Sequence, residues 1–170
     1  WVLDVTTSQA KKVTTLQLNA CMGNPITWYK DNNSLLVRVV PETATPLKDT
    51  KNDLPQGPIV STAEGKVSQN RTYQDLLKNK IDEYNFEQIA ATELYKVNIE
   101  TGQAVKAYPK AIYTSESFSP DGQYLLLTTI QKPYSYLVPY SRFPLETNLY
   151  SNEGKLISQV RTLPLAEVMP

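Results

Sequence analysis

Short apolar stretches alternate with polar turns along most of the chain, and one helical pattern interrupts them. Residues 1–5, Trp1-Val2-Leu3-Asp4-Val5, place apolar side chains at alternate positions and read as a strand, with residues 11–16 as its return. Residues 26–29 form another short strand before the turn Lys30-Asp31-Asn32-Asn33-Ser34. Residues 35–40 are almost continuously apolar, the mark of a strand buried on both faces. From 41 to 65 the pattern lapses: Pro41, Pro46, Pro55 and Pro58 stand among polar residues, as in a long excursion with little regular structure. Residues 71–91 read as helix, with Tyr73, Leu76, Leu77 and Ile81 at helical spacing and Asn85 a point where two short helices could part. Strands resume at 94–99, 104–106, 117–119 and 124–130, where Leu125-Leu126-Leu127 is expected in a central strand buried on both faces. A Tyr/Pro-rich stretch, 132–144, precedes a last hairpin over 148–160.

Two kinds of hairpin repeat. Trp28-Tyr29-Lys30-Asp31-Asn32-Asn33-Ser34-Leu35-Leu36-Val37 aligns without a gap on Phe118-Ser119-Pro120-Asp121-Gly122-Gln123-Tyr124-Leu125-Leu126-Leu127. Trp1-Val2-Leu3-Asp4-Val5-Thr6-Thr7-Ser8-Gln9-Ala10 aligns on Tyr95-Lys96-Val97-Asn98-Ile99-Glu100-Thr101-Gly102-Gln103-Ala104, and 148–156 is a looser third copy with Gly154 in the place of Gly102. One hairpin of each kind in succession makes a four-stranded propeller blade. The fold class predicted is therefore all-β: a β-propeller segment of about two and a half antiparallel blades with a short helical insertion. Residues 1–16 are the outer half of one blade. Residues 26–105 form a blade with an insertion at 41–91, and 112–160 form another with an insertion at 131–147. A β-sandwich with similar hairpins is the alternative fold.

Composition narrows the function. The chain of 170 residues has 41% hydrophobic and 20% charged residues, enough for a folded core. Seventeen basic residues balance seventeen acidic ones, so no polybasic field draws nucleic acid or anionic lipid. The apolar runs are too short to span a bilayer as helix. The chain opens on a strand without a start methionine or signal peptide, which is what a trimmed segment of a longer protein would show. It contains no histidine, so it holds neither a Ser-His-Asp triad nor a Cys-His pair. Its single cysteine, Cys21, excludes an internal disulfide and reads as a small buried packing residue. No cofactor or metal is expected: Asp82-Glu83 reads as a solvated pair of carboxylates, and no Gly-rich phosphate loop occurs. Asn32-Asn33-Ser34 and Asn70-Arg71-Thr72 match the glycosylation pattern, but Asn32 is better explained by its turn.

Phe118-Ser119-Pro120-Asp121-Gly122 before an apolar strand resembles propellers of the prolyl oligopeptidase family. Longer strings, Trp1-Val2-Leu3-Asp4-Val5, Arg71-Thr72-Tyr73-Gln74-Asp75-Leu76-Leu77-Lys78, Lys132-Pro133-Tyr134-Ser135-Tyr136-Leu137-Val138-Pro139-Tyr140-Ser141-Arg142-Phe143-Pro144 and Leu163-Pro164-Leu165-Ala166-Glu167, resemble its glutamyl endopeptidase-like branch of bacteria and chloroplasts. The resemblance implies an N-terminal propeller joined to a C-terminal α/β-hydrolase domain with a Ser-Asp-His triad and a Gly-x-Ser-x-Gly elbow. None of these catalytic residues is in this chain. What the resemblance leaves to it is the accessory role of covering the active site and filtering peptide substrates. The partners implied are that hydrolase domain and peptides; the sequence itself leaves the location unknown, and the resemblance implies a bacterial one, periplasmic or cell envelope.

Four residues are candidates for substrate contact. Arg142 stands in the Pro- and Tyr-rich insertion, where a guanidinium could fork onto a carboxylate. Tyr134 and Tyr140 flank it with apolar rings and hydroxyl tips. Arg71 heads the helical insertion and could meet substrate or the hydrolase domain. A different class of function, a propeller module that binds protein partners with no peptidase attached, fits the same pattern. In either case the isolated chain is expected to be inert toward peptides and esters, and prone to self-association through its bared blade faces and strand edges.

Overall fold

In the computed structural model, which describes residues 1–49 and 73–167, nine strands and one α-helix follow one another along the chain. Strands β1 (Val2–Asp4) and β2 (Gln9–Lys11) form a two-stranded antiparallel sheet. The others are β3 (Ile26–Trp28), β4 (Ser34–Val39), β5 (Thr92–Asn98), β6 (Ala104–Phe118), β7 (Tyr124–Ile130), β8 (Leu145–Ser151) and β9 (Leu156–Leu163). They lie in sequence order in one curled antiparallel sheet. β6 is shared: Thr92 of β5 faces Ala111, whereas Ile112 faces Ile130 of β7. The strand thus closes one four-stranded group (β3, β4, β5, first part of β6) and opens another (second part of β6, β7, β8, β9). The architecture is an all-β, propeller-like segment with one short helix.

The repeated sequences adopt repeated geometry. In the first pair, Tyr29 N–H donates to Ser34 O and Ser119 N–H to Tyr124 O, 2.9 and 3.0 Å. Asp31 Oδ1 accepts from Asn33 and Ser34 N–H, and Asp121 Oδ1 from Gln123 N–H. The matched residues Asn32 and Gly122 both turn left-handed, with φ of 52° and 72°. In the second pair, Asp4 Oδ1 accepts from Thr6 and Thr7 N–H as Asn98 Oδ1 does from Glu100 and Thr101 N–H. A short Asp or Asn side chain that bonds the backbone two or three residues on is what fixes each turn.

Three apolar clusters hold the fold. Tyr29, Leu36 and Leu94 of the first group meet Tyr108, Tyr113, Leu125 and Leu127, so this cluster joins the two groups. On the opposite side of β4, Leu35, Val37 and Val39 pack with Val97 beneath Val2, Leu16 and Leu18. Every residue of β4 is therefore buried, its apolar positions in these clusters and Arg38 among hydrogen-bond partners. β7 is central, between β6 and β8. Only one of its faces is fully buried, however: Leu125 and Leu127 are inaccessible while Leu126, pointing the other way, is half-buried.

Three local expectations change. The return strand of the first hairpin is Gln9–Lys11 rather than 11–16, because Thr14 Oγ1 takes the Leu16 N–H and diverts the backbone from a ladder. The helix α1 is Lys80–Ala90 and starts well after residue 71. Asp75 has φ of 57°, outside the helical region, and Asn79 is extended, its Oδ1 capping Ile81 and Asp82 N–H. Asn85 does not break α1; its amide instead bonds both backbone groups of Lys48, Nδ2 to O and Oδ1 from N–H, each 2.9 Å.

Candidate functional site: a composite cap

The loop between β4 and β5 ends beside the point where the loop between β7 and β8 begins. The first returns at Thr92, opposite Ala111, and the second departs from Ile130, opposite Ile112. Because residues 111 and 112 are adjacent, both insertions meet over the bend of β6. Ala90, Ala91, Ile112, Ile130, Val138 and Phe143 form their common core, with Phe86, Tyr134 and Leu165 packed against it. Phe86 of α1 sits edge-on to Tyr134 (5.4 Å, 89°) and Phe143 (6.1 Å, 86°), and Tyr134 stacks on Phe143 at 5.3 Å. Aromatic pairs at such angles add about 0.5–1.5 kcal/mol each beyond their area.

Polar contacts fix the loop on two flanks. Toward α1, Lys132 Nζ lies 2.5 Å from Glu87 Oε1, and Tyr136 Oη donates to Glu83 Oε1 at 2.6 Å. That hydroxyl, together with Lys80, holds the Glu83 carboxyl below its usual range, and the same bond raises Tyr136. Burial, with Glu87 nearby, raises Tyr134. On the other flank, buried Ser135 donates to Glu167 Oε1 at 2.6 Å, and Ala166 N–H donates to Arg142 O at 3.1 Å. Asn19 ties the front of the chain in as well: its Nδ2 donates to Ile89 O and Ala91 O at the end of α1.

Two clefts open beside this cap. One, of about 490 Å³, lies between α1, the bend of β6 and the start of the second insertion, and is lined by Glu87, Lys110, Lys132 and Tyr134 among others. The other, of about 240 Å³, is mostly apolar and runs between Leu76, Leu77, Phe86, Tyr140 and Phe143. The expected site residues are distributed accordingly. Arg142 is half-buried in a single 3-10 turn, Tyr140–Arg142. Tyr140 is half exposed on the apolar cleft, and Tyr134 lines the larger one with its ring held in the aromatic cluster. Arg71 lies outside the described residues, as does the Asn70-Arg71-Thr72 pattern.

Sequence reasoning missed Phe86, Ser135, Phe143 and Glu167 as the groups that hold the loop. Their partners are distant in sequence, so no local spacing signals them. It also misplaced Cys21, which is exposed; its neighbour Asn19 is the buried residue, because its amide is fully used in hydrogen bonds. Chemically the cap offers aromatic surface, two clefts and paired charges. With no histidine in the chain there is no Ser-His-Asp triad. Among the described residues no cluster of His, Cys, Asp or Glu could hold a metal, and no helix is long and apolar enough to cross a membrane.

No family model matches the chain, and no solved structure matches it. Curated relatives do. The chain is 36% identical over 176 aligned residues to a probable glutamyl endopeptidase, chloroplastic, of Oryza sativa subsp. japonica, and 37% identical over 175 to one of Arabidopsis thaliana. These relatives are chloroplastic plant proteins, which overturns the expectation of a bacterial, periplasmic or cell-envelope location. The match takes in 100% of this chain but only 18% of each relative. From end to end, then, this propeller-like segment is similar to a minor stretch of much longer probable glutamyl endopeptidases.

Proposed function

We propose that the chain is a non-catalytic propeller segment of a glutamyl endopeptidase-like serine peptidase of the prolyl oligopeptidase family. In this reading it gates access to an α/β-hydrolase domain carried elsewhere in the polypeptide and helps select acidic side chains. The observation that carries the reading is the end-to-end similarity to probable glutamyl endopeptidases of far greater length. The missing histidine agrees with it, since the histidine of a Ser-Asp-His triad would then come from another part of the protein. The described parts of the two insertions pack on one shared core, and a cap built that way can filter substrates by size. Arg142 is the residue through which the cap would meet a substrate carboxylate.

The test is made on the whole polypeptide. Its remaining sequence should contain Gly-x-Ser-x-Gly, then Asp, then His. Arg142→Ala should lower the preference for Glu over Gln substrates by well over tenfold, since losing a charge-assisted contact in a desolvated site costs about 2–5 kcal/mol. An unchanged preference removes Arg142 from the specificity site. A polypeptide without the hydrolase signature removes the peptidase and leaves a protein-binding propeller.

A further inference from the structure

After β9 the chain does not leave the molecule but returns across the second insertion as a strap. Leu165 enters the core of the cap, Ala166 N–H bonds Arg142 O, and Glu167 accepts the Ser135 hydroxyl. Ser135 is 3% exposed and serves two groups at once, because its Oγ also accepts Leu137 N–H at 3.0 Å. One hydroxyl therefore orders the beginning of the loop and anchors the strap, and the strap in turn holds the backbone of Arg142. The turn at Arg142 closes with its own bonds, Arg142 N–H to Pro139 O and Phe143 N–H to Tyr140 O. Between α1 on one flank and the strap on the other, the guanidinium is carried by backbone held on both sides.

We infer that Ser135 and Glu167 are positioning residues that set the attitude of Arg142 toward a substrate carboxylate through the 163–167 strap. The inference rests on the reading of Arg142 as a substrate contact. Neither side chain touches substrate. Both act by keeping the turn at Arg142 from drifting, and an ångström of misplacement can cost about a hundredfold.

The experiment uses the whole polypeptide with four variants: Ser135→Ala, Glu167→Ala, Glu167→Gln and Arg142→Ala. Two quantities are measured, the ratio of kcat/KM for Glu over Gln substrates and amide hydrogen exchange across residues 134–143. Ser135→Ala and Glu167→Ala should speed exchange in that segment, leave β7 and β8 protected, and lower the ratio roughly tenfold. Glu167→Gln keeps an acceptor oxygen and should stay near wild type in both. If exchange quickens while the ratio holds, and Arg142→Ala still lowers the ratio, the positioning role falls and the reading of Arg142 stands. If Arg142→Ala also leaves the ratio unchanged, both fall. Unaltered exchange in both alanine variants overturns the strap itself. Glu167 is exposed, so Glu167→Ala keeps the test open should Ser135→Ala fail to fold.

Discussion

Arg38 of β4 and Glu116 of β6 grip each other across the junction of the two four-stranded groups, Nε to Oε1 at 2.6 Å and Nη2 to Oε2 at 2.7 Å. Both side chains are almost wholly buried, 5% and 9% exposed. The remaining guanidinium nitrogen donates to Met22 O and Tyr113 O, so the buried charge has hydrogen-bond partners on every nitrogen. A carboxylate and a fork-shaped cation meeting in this way fix the relative register of the groups more specifically than apolar contact does.

Removing one partner leaves the other charged and buried. Arg38→Ala should lower stability by about 3–5 kcal/mol, measured by urea denaturation, and Glu116→Ala by a similar amount. Arg38→Met with Glu116→Leu should cost much less than the sum, because no unpaired charge remains. Additive losses in the double variant would show that the pair is not coupled.

The glycines at two turns differ in what surrounds them. A Cβ on Gly154 would lie 2.2 Å from Ala107 O, a backbone atom, and the residue has φ of 92°. A Cβ on Gly122 would lie 2.7 Å from Lys30 Cβ, with φ of 72°. Both alanine variants should destabilise by more than the roughly 1 kcal/mol of backbone entropy that alanine returns. Gly154→Ala should be the worse, since its overlap is the deeper and falls on a strand carbonyl. Thermal unfolding of the two variants checks the order, and equal losses would contradict it.

How much of this was readable in the sequence depends on how local the cause is. The hairpin repeat was legible because each turn is made by an Asp or Asn bonding backbone two or three residues away. The start of α1 was not. Tyr73 and Leu77 occupy helical spacing yet pack against the cap from a non-helical segment, so the periodicity reported burial and not helix. The unity of β6 was hidden by Pro109, which separates two strand-like stretches. It is tolerated at the bend, where the ladder to β5 skips from Tyr108 to Ala111 and no partner needs its missing N–H. At the cap, Pro and Tyr marked Arg142, Tyr134 and Tyr140 as a stiff loop, but the strap and helix that hold it are joined only by tertiary contacts.

Acid should loosen the cap before it unfolds the sheet. Glu83 is held below its ordinary value first by the Tyr136 hydroxyl and then by Lys80, with Lys132 adding to the field. A carboxyl whose folded value is depressed stabilises fully above its unfolded value. This contribution is therefore complete above about pH 4.5 and is lost as pH falls through the lower folded value. Hydrogen exchange over 134–143 should rise in that window while β7 stays protected, and Glu83→Ala, which removes the acceptor, should show the same looseness at neutral pH. A pH-independent exchange pattern down to global unfolding would refute the contact's role.

The isolated chain should self-associate, and the structure indicates through which face. The candidate surfaces among the described residues include the edge strand β9 and the small β1–β2 sheet. β9 carries exposed Leu156, Ile157 and Val160, but its ladder to β8 skips Val160 and Ile157, one extra residue at each of two bulges. Bulges twist an edge away from a flat partner and so protect it from strand addition. The β1–β2 sheet lacks that protection. Its strands are three residues long, its ladder is unbroken, and Trp1, Leu3 and Val5 are 79%, 59% and 84% exposed. A two-stranded sheet of this size is marginal in water unless a third strand or a covering face joins it. Sedimentation of the isolated chain at micromolar concentration should therefore show dimers or larger species. Leu3→Lys with Val5→Lys should shift them toward monomer, whereas Val160→Lys should change little. A strictly monomeric wild-type chain would refute self-association, and dissociation by the β9 substitution alone would move the surface to β9.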